Sequence, residues 1–359
     1  LRIPPTRGNQ CRLLTTGTQT FERIFSRIKE AQQYICVQYY ILSDDHLGQE
    51  LTDHLCEKAS SGVAVYLLYD EIGSHGISSQ FLKKLTRAGV RVSRFNPLQL
   101  RNRFQLNFRN HRKLVICDGQ YAFVGGYNVD EVYVTTDDIR DTHVEISGPS
   151  VLAFQLAFTE DWYWATQSVP AIQWQPPKAE GTSNVMTIPT GPADDAESAS
   201  LFFTHLIHKA RQRCWLVSPY FVPDQSLVAA MQLAGLRGVD IRILIPENGD
   251  SHLVQHAMGA FVEPLTRCNV QFFSYQKGFL HQKVILVDDE WAYIGSSNLD
   301  NRSLRINFEL GALIQDKQFA AETAAMLQED FDNAVPTRLS THWWQVFLTR
   351  VSRLLAPVL

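Results

Sequence analysis

The residues best suited to chemistry belong to a motif that the chain contains twice. One copy begins at His111 and reads HRKLVICDGQYAFVGGYN, and the other begins at His281 and reads HQKVILVDDEWAYIGSSN. Six positions have the same spacing in both copies: His111, Lys113, Asp118, Gly125, Gly126 and Asn128 in the first, and His281, Lys283, Asp288, Gly295, Ser296 and Asn298 in the second. A lone His-x-Lys-x4-Asp pattern occurs by chance in roughly a few per cent of chains of this length, and two copies with matching tails are far rarer. The repeat therefore indicates a function shared by both copies.

Each copy of the motif has the pattern of a β-hairpin. An apolar run follows the lysine, a turn follows at the aspartate, and a second apolar run leads to the glycine. Because alternate residues of a strand point to the same side, His111 and Lys113 share a face, as do His281 and Lys283. Burying an unpaired ammonium beside an imidazole is costly, so this pair is unsuited to a core. The pair suits a bound phosphate, since the lysine neutralises an oxygen and a neutral imidazole can attack phosphorus or transfer a proton.

The segments in front of the first motif alternate between helical and strand-like patterns. Over 20–33, the apolar residues Phe21, Ile24, Phe25 and Ile28 share one face of a predicted helix. The predicted elements are a helix at 20–33, a strand at 34–42, a helix at 47–60, a strand at 63–69, a helix at 80–88 and a strand at 90–95. Such alternation predicts a mainly parallel sheet covered by helices.

The second half of the chain repeats the pattern of the first. The sequence FVEPLTRCNVQFFSY from Phe261 is similar to FLKKLTRAGVRVSRF from Phe81, and the two motif histidines are 170 residues apart. A duplicated unit with one reactive histidine in each copy predicts an α/β fold of two sandwich domains related by a pseudo-twofold axis. A single site at the seam between the domains would then contain both histidines.

Composition also predicts where the two domains meet. Five prolines and two glycines fall between Gln167 and Pro192, which is typical of a linker. The predicted division is a first domain at 1–168, a linker at 169–192 and a second domain at 193–359. The second domain is expected to begin with a helix at 195–212 that Asp194 caps. From Thr341, tryptophans and arginines at helical spacing predict an amphipathic C-terminal helix, which either lies in a bilayer surface or packs on the second domain.

Overall composition narrows the classes of function. The chain has 359 residues, of which 45% are hydrophobic and 19% charged, so it can bury a large core. Its net charge of −4 gives no general attraction to nucleic acid or to an anionic lipid surface. The six cysteines have no C-x-x-C spacing, which predicts buried free thiols rather than a disulfide framework or a zinc site.

The doubled motif with its glycine-rich tails resembles the signature of the phospholipase D superfamily. Other segments resemble bacterial cardiolipin synthases, among them VQYYILSDD, YLLYDEIGSHG, RDTHVEISGP, GSSNLDNRS and RLLAPVL. The resemblance extends over nearly the whole chain. It implies two phospholipase D-like α/β domains and a phosphatidyl transfer between two phosphatidylglycerol molecules, which gives cardiolipin and glycerol without a cofactor.

The resemblance also implies a role for each motif histidine. His111, in the first copy, is expected to attack phosphorus and to form a phosphatidyl-histidine intermediate. His281 is expected to protonate the leaving alkoxide. A neutral and a protonated imidazole coexist at little cost near neutral pH, because the pKa of a free imidazole is about 6.5.

The remaining motif residues are expected to act on the phosphate. The side chains expected to bind its oxygens are Lys113, Lys283, Asn128 and Asn298. These donors can take the place of a metal ion, and we expect no metal site. Asp118 and Asp288 complete the catalytic motif, although their positions at the hairpin turns favour a structural role.

Two further carboxylates are expected to orient the histidines. A nucleophilic histidine usually needs a carboxylate on its second ring nitrogen, which fixes its tautomer. Asp141 lies 30 residues after His111, and Glu309 lies 28 residues after His281. Because both precede an apolar strand at matching places, we expect Asp141 to orient His111 and Glu309 to orient His281.

The motifs alone leave three functions open. These are phosphatidyl transfer, hydrolysis by a phospholipase or nuclease that uses the same histidines, and non-catalytic membrane binding. Arginines near the first motif could hold a nucleic-acid backbone, namely Arg101, Arg103, Arg109 and Arg112. The rest of the chain is not basic, so we expect phospholipids and a membrane surface as partners and no nucleic acid. The resemblance implies a location at the bacterial inner membrane, either peripheral or through a segment outside the given sequence.

Overall fold

Helices cover both faces of one long mixed β-sheet. The computed structural model describes residues 3–96, 107–136, 138–249 and 252–337, apart from the side chains of 252–256. The first half contains β1 (Thr6–Leu14), α1 (Gly17–Glu30), β2 (Tyr34–Tyr39), α2 (His46–Ser60), β3 (Ala64–Asp70), α3 (Ser79–Arg87), β4 (Arg91–Phe95), β5 (Leu114–Cys117), β6 (Tyr121–Gly125), α4 (Val132–Thr135), β7 (Ile139–Arg140), β8 (His143–Ser147) and α5 (Val151–Thr166).

The second half repeats this succession of elements. It contains β9 (Ser183–Thr190), α6 (Ser198–Lys209), β10 (Arg213–Val217), β11 (Phe221–Val222), α7 (Gln225–Leu236), β12 (Asp240–Pro246), α8 (His252–Thr266), β13 (Val270–Tyr275), β14 (Phe279–Leu280), β15 (Val284–Val287), β16 (Trp291–Gly295), β17 (Leu299–Asp300), α9 (Asn301–Arg305), β18 (Glu309–Gln315), α10 (Lys317–Asp332) and β19 (Ala334–Pro336). The predicted duplicated α/β architecture is confirmed.

Fifteen strands form the main sheet, in the order β19-β13-β12-β10-β15-β16-β18-β9-β1-β8-β6-β5-β2-β3-β4. The two halves join where β1 pairs antiparallel with β9. The expectation of a mainly parallel sheet is wrong. Strands β2, β3 and β4 are parallel, but the motif hairpin β5–β6 and strand β8 pair antiparallel, and the second half repeats this arrangement. A hairpin joins neighbouring strands by a short turn, so each motif necessarily adds antiparallel pairs.

Alternation along the strands divides the core into layers. In β2, Cys36 belongs to a core shared by both halves, to which α5 and α10 contribute, whereas Ile35 and Val37 pack towards α1, α2 and α3. Successive strand residues point to opposite faces, so one strand serves both layers. The equivalent outer layer of the second half contains α6, α7 and α8. The sheet that carries both motifs is therefore buried on both sides and holds the motif residues rigidly.

Two local predictions need correction. The segment 169–192, predicted as a linker, contains strand β9, which pairs with β18 from Asn184 to Thr190 and with β1 on its other side, and so closes the sheet between the halves. The helix expected at 195–212 is α6, which begins at Ser198. Asp194 does not cap it, because its carboxylate accepts a hydrogen bond from the backbone N–H of Gly191 in the preceding turn. The division into domains at 1–168 and 193–359 stays a prediction.

Two findings concern contact with a membrane. The amphipathic helix predicted from Thr341 lies outside the described residues. Among the helices that are described, none combines the length and the hydropathy that crossing a membrane requires.

Candidate active site

The first motif histidine is held by a carboxylate from the second half. His111 precedes β5 by three residues, and its Nδ1 lies 3.0 Å and 3.1 Å from the two carboxylate oxygens of Glu309. Glu309 is almost fully buried and also accepts hydrogen bonds from Ser296 Oγ at 2.6 Å and Asn307 Nδ2 at 3.2 Å. An Nδ1–H bond to this fixed carboxylate leaves the lone pair of His111 on Nε2, where it can act as a nucleophile.

The second motif histidine is held by a carboxylate from the first half. His281 Nδ1 lies 2.6 Å from Asp141 Oδ2. Asp141 is fully buried, and its other oxygen accepts the backbone N–H of Thr142 at 2.7 Å. The ammonium of Lys283 lies 4.0 Å from the same carboxylate. His281 therefore has the same tautomer as its counterpart, with the lone pair on Nε2.

The predicted assignment of the carboxylates is wrong, because the pairs cross between the halves. Glu309 orients His111 and Asp141 orients His281. The backbone explains the exchange: the N–H of His111 donates to the carbonyl of Phe308 at 2.9 Å, and the N–H of His281 donates to that of Arg140 at 2.8 Å. Each histidine segment thus runs beside the carboxylate segment of the other half. The matching sequence positions of Asp141 and Glu309 identify them correctly as the orienting carboxylates. Which histidine each one contacts depends on how the two halves pack about the pseudo-twofold axis.

The two motif lysines lie beside the histidines. Lys113 and Lys283 are buried, and each ammonium donates to the backbone carbonyl of its own motif histidine. Burial lowers the pKa of Lys113 well below its usual range, which Glu309 opposes. Both ammonium groups also act electrostatically on both imidazoles. The structure therefore brings the histidines and lysines of the two copies together in a single site.

The asparagines of the tails are buried beside this site. Asn128 accepts the backbone N–H of Ile41 at 3.2 Å and donates to the hydroxyl of Tyr133 at 3.4 Å. The side-chain oxygen of Asn298 has no hydrogen-bond partner in the parts of the chain that the structure describes. Their binding of phosphate stays a prediction.

The residue that follows the first glycine of the tail differs between the two copies, Gly126 in the first and Ser296 in the second. This difference matches the unequal side-chain lengths of Asp141 and Glu309. Gly126 lies against the shorter Asp141, and any Cβ at this position would collide with that carboxylate. At the equivalent place in the second half, the hydroxyl of Ser296 donates to the longer Glu309. The Gly126–Asp141 and Ser296–Glu309 combinations thus place both carboxylates at the same kind of distance from an imidazole.

Asp118 and Asp288 belong to the motif but not to the site. They lie at the far end of the first hairpin strand, five residues or about 16 Å of extended chain from the lysines. Each carboxylate accepts three consecutive backbone N–H groups at the start of a neighbouring strand: Gln32, Gln33 and Tyr34 for Asp118, and Arg211, Gln212 and Arg213 for Asp288. Counting these aspartates as catalytic was therefore wrong, and the structural role favoured by their turn positions is the one observed.

The electrostatics of the site favour neutral imidazoles. Burial lowers the pKa of His111, which Glu309 partly opposes, and burial with Lys283 lowers that of His281 to about 4. Burial acts to raise the pKa of Glu309 and Asp141, but the adjacent histidine and lysine outweigh it and keep both pKa values low. An anionic phosphate raises the pKa of a nearby imidazole, so one imidazole can take up a proton from solvent when the substrate binds and then act as the acid catalyst. Within the described residues, no three His, Cys, Asp or Glu side chains are arranged to hold a metal ion.

Aromatic residues complete the surroundings of the histidines. The ring of Tyr40 lies 4.9 Å from that of His111, edge-on, while the rings of Phe279 and Tyr133 lie 5.8 Å and 6.2 Å from that of His281. Sequence reasoning missed Tyr40 and Tyr133. Phe279 could have been found, because it stands two residues before His281 on the same side of an extended segment.

Two of the arginines near the first motif, Arg109 and Arg112, lie in the part of the chain that the structure describes, and they do not form a nucleic-acid-binding surface. Arg112 is buried and donates to Asp161 Oδ2 at 2.9 Å and to the carbonyls of Glu309 and Thr190. Arg109 is also buried. Arg101 and Arg103 lie outside the described residues. The guanidinium of Arg112 thus joins the two halves beneath the site and cannot reach a polynucleotide.

A third buried histidine predicts acid sensitivity of the fold. His143 accepts the backbone N–H of Tyr127 at Nδ1, and burial lowers its pKa to about 3. The unfolded chain therefore binds a proton more readily, so this contribution to stability is complete above pH 6.5 and is lost as the pH falls below that value. Between pH 7.5 and pH 5 it should cost about 2 kcal/mol. In urea unfolding, His143→Gln keeps a hydrogen-bond acceptor that cannot be protonated, so its free energy of unfolding should fall by about 2 kcal/mol less than that of the wild type between pH 7.5 and pH 5. Equal falls in both proteins would contradict the role of His143 in acid sensitivity.

Comparison with known proteins places these features in a family. The model of the phospholipase D-like domain of cardiolipin synthase matches residues 24–162 and 203–333. Cardiolipin synthase A of Pseudomonas putida is 44% identical over all of the chain and 76% of its own length, and that of Pseudomonas aeruginosa is 44% identical over all of the chain and 75% of its own length.

Solved structures share the fold at low sequence identity. Phosphatidylserine synthase of Haemophilus influenzae has a TM-score of 0.79 at 15% identity and covers 99% of this chain and 97% of its own. Polyphosphate kinase of Porphyromonas gingivalis has a TM-score of 0.63 at 13% identity and covers 98% of this chain and 54% of its own.

Proposed function

Because the chain belongs to the family of cardiolipin synthases with phospholipase D-like domains, we propose that it joins two phosphatidylglycerol molecules into cardiolipin and releases glycerol. The observation that carries the proposal is the crossed arrangement, in which each half of the chain supplies a histidine and the carboxylate that orients the other histidine. Two imidazoles with lone pairs on Nε2 and two ammonium groups form a site for a phosphodiester anion.

The first step forms the covalent intermediate. His111 Nε2 attacks phosphorus of the donor lipid, and the bond between phosphorus and the glycerol oxygen breaks. His281, protonated in the presence of the anionic substrate, gives its proton to that oxygen, and glycerol leaves. Glu309 stabilises the positive charge that develops on His111.

The second step consumes the intermediate. A hydroxyl oxygen of the acceptor phosphatidylglycerol attacks the same phosphorus, and the bond to His111 breaks with its electron pair returning to Nε2. His281, now neutral, takes the proton of the hydroxyl, and Asp141 holds its imidazole in position. Water in place of the lipid alcohol would give phosphatidic acid, so transfer requires the acceptor lipid to outcompete water.

Lipid product analysis tests this function. The purified protein is incubated with phosphatidylglycerol vesicles, and cardiolipin, phosphatidic acid and glycerol are quantified. We expect cardiolipin and glycerol in equal amounts. Phosphatidic acid as the main product would identify a phospholipase, and cleavage of single- or double-stranded DNA in a parallel assay would identify a nuclease.

We expect the chemistry to continue without a divalent ion. The ammonium groups of Lys113 and Lys283 can neutralise the phosphate oxygens, which is the role that a metal ion would otherwise have. EDTA should therefore leave the initial rate with a short-chain, monomerically dissolved phosphatidylglycerol within about twofold of the untreated rate. A loss that Mg²⁺ or Ca²⁺ restores with this dissolved substrate would contradict the prediction.

We further propose that the protein works at the bacterial inner membrane, since both substrates are bilayer lipids. The sequence from Thr341 contains tryptophans, which favour the headgroup region of a bilayer, and arginines, which can pair with lipid phosphates. Deleting 346–359 should lower binding to phosphatidylglycerol vesicles in a sedimentation assay, while the melting temperature stays within a few degrees of that of the full chain. A large drop in melting temperature would instead assign this segment to the core of the second domain.

A further inference from the structure

A buried guanidinium next to His111 lacks hydrogen-bond acceptors. Arg109 stands two residues before His111 and is only 4% exposed, and neither of its terminal nitrogens has a hydrogen-bond partner among the described residues. The nearest charge is Asp70 Oδ1, at 3.6 Å from Nη1. The Asp70 carboxylate already accepts three backbone N–H groups, from Ile72, Gly73 and Asn110. Such unsatisfied buried donors are uncommon and call for a ligand or a functional reason.

Arg109 has two neighbours that also face the site. The ring of Tyr40 lies 4.9 Å from the ring of His111, and its centroid is 5.4 Å from the ammonium of Lys113. The charges of Arg109 and Arg302 both act on the phenol of Tyr40, so both guanidinium groups lie near it. Arg302 comes from α9 in the second half and donates to the carbonyl of Asn107 at 3.0 Å. The His111 end of the site is therefore rich in cationic and polar groups.

The positions at the opposite end that are equivalent to Arg109, Tyr40 and Asp70 hold apolar residues. The β2–β5 and β2–β3 pairs have the same registers as β10–β15 and β10–β12, which fixes the equivalences between the halves. The equivalent residues are Phe279 for Arg109, Pro219 for Tyr40 and Pro246 for Asp70. The two ends of the pseudo-symmetric site therefore differ: a guanidinium, a phenol and a carboxylate beside His111 are replaced by apolar side chains beside His281, where the hydroxyl of Tyr133 lies 3.5 Å from Nδ1. A difference of this kind suits a transfer reaction, in which two different ligands occupy the site.

We propose that Arg109, with Arg302 and Tyr40, binds the phosphodiester of the acceptor lipid and so selects an anionic lipid alcohol over water; this inference rests on the proposed function. A guanidinium presents paired N–H groups that match two phosphate oxygens. The two extended residues from Arg109 to His111 cover about 7 Å, a distance that a glycerol group can bridge. An acceptor held by its own phosphate at Arg109 thus directs its terminal hydroxyl to the phosphorus on His111.

The bound acceptor acts in the second step only. Its hydroxyl oxygen forms the new bond to phosphorus, the bond from phosphorus to His111 Nε2 breaks, and His281 receives the hydroxyl proton. The acceptor's own phosphate stays intact and keeps its charge. Loss of the Arg109 contact should therefore change how the intermediate is divided between acceptors, while glycerol release from the donor continues.

The test is a partition experiment with the full chain. Phosphatidylglycerol labelled in its terminal glycerol reports intermediate formation, and the products cardiolipin, phosphatidic acid and the adduct of added ethanol report its fate. We expect Arg109→Gln to lower the ratio of cardiolipin to phosphatidic acid by about 10- to 100-fold. The ratio of the ethanol adduct to phosphatidic acid should stay unchanged, since ethanol carries no phosphate.

Matched variants distinguish the subsite from a general loss of charge. Arg94→Gln removes an arginine whose guanidinium pairs with Glu71 on the protein surface, and it should leave both ratios unchanged. Arg109→Lys should keep part of the preference for cardiolipin, because it retains the charge without the paired geometry. Should Arg109→Gln not fold, Arg302→Gln should lower the same ratio to a smaller extent.

The outcomes separate this inference from the proposed function. Wild-type protein that releases no labelled glycerol would refute the function itself. Wild-type protein that makes cardiolipin while Arg109→Gln, or Arg302→Gln in its place, keeps the wild-type ratio would refute the acceptor subsite alone. Inorganic phosphate that suppresses cardiolipin formation in wild-type protein but not in Arg109→Gln, together with an unchanged ratio in that variant, would assign the guanidinium to free phosphate and overturn the lipid assignment.

Discussion

His111→Ala is expected to abolish turnover and to prevent any covalent lipid adduct. The Nε2 of His111 is the proposed nucleophile, so its removal leaves no atom that can accept the phosphatidyl group. Loss of a catalytic nucleophile typically lowers the rate by about ten-thousand-fold or more. Mass spectrometry of protein incubated with phosphatidylglycerol and then denatured rapidly at neutral to alkaline pH measures the acid-labile adduct, and release of labelled glycerol measures turnover. His205→Ala on the exposed face of α6 is the matched control and should behave as wild type.

His281→Ala should separate the two steps. Glycerol is a poor leaving group that needs a proton, whereas p-nitrophenolate leaves without one. The variant should therefore be nearly inactive on phosphatidylglycerol but should form the adduct with a phosphatidyl p-nitrophenol donor. It should then accumulate that adduct, because His281 also removes the proton of the attacking alcohol. An adduct on His281 of the His111→Ala variant would reverse the two roles.

Replacing either orienting carboxylate is expected to have the second largest effect. Glu309→Gln and Asp141→Asn keep size but remove the charge that fixes a tautomer and stabilises an imidazolium. Losses of about 100- to 10,000-fold in turnover are expected for groups of this kind. Glu263→Gln, at an exposed position of α8 that pairs with Arg267 just after the helix, is the control and should leave turnover unchanged.

The crossed arrangement predicts which variant an activated donor rescues. Asp141 acts through His281, so Asp141→Asn should resemble a defect in the acid and form the adduct rapidly from the p-nitrophenyl donor. Glu309 acts through His111, so Glu309→Gln should form the adduct slowly from either donor. Pre-steady-state release of p-nitrophenol measures both. Rescue of Glu309→Gln rather than Asp141→Asn would show that the carboxylates serve the opposite histidines in solution.

The sequence predicts the parts of this site that depend on local pattern. The period of two in each hairpin places histidine and lysine on one face, and the apolar stripe of Phe21, Ile24, Phe25 and Ile28 predicts α1 correctly. The duplication predicts that two histidines meet. These features follow from residues close together in the chain, where spacing alone fixes the geometry.

Features that depend on contacts between the halves could not be read from spacing. The pairing of Glu309 with His111 depends on the backbone bond between His111 and Phe308, which are 197 positions apart. Strand β9 was missed because Pro189 falls within it, yet Pro189 lies opposite Leu310 in the pairing with β18. The burial of Arg109 was equally hidden, since a sequence does not show that Asp70 and Tyr40 lie beside it.

The stereochemistry at phosphorus tests the central claim most directly. The account requires two in-line displacements at one phosphorus, first by His111 and then by the acceptor hydroxyl, and each displacement inverts the configuration. A donor phosphatidylglycerol with a phosphorothioate of known configuration should therefore give cardiolipin with the configuration retained. Inverted configuration would mean a single direct attack by the acceptor and would contradict a phosphatidyl-histidine intermediate.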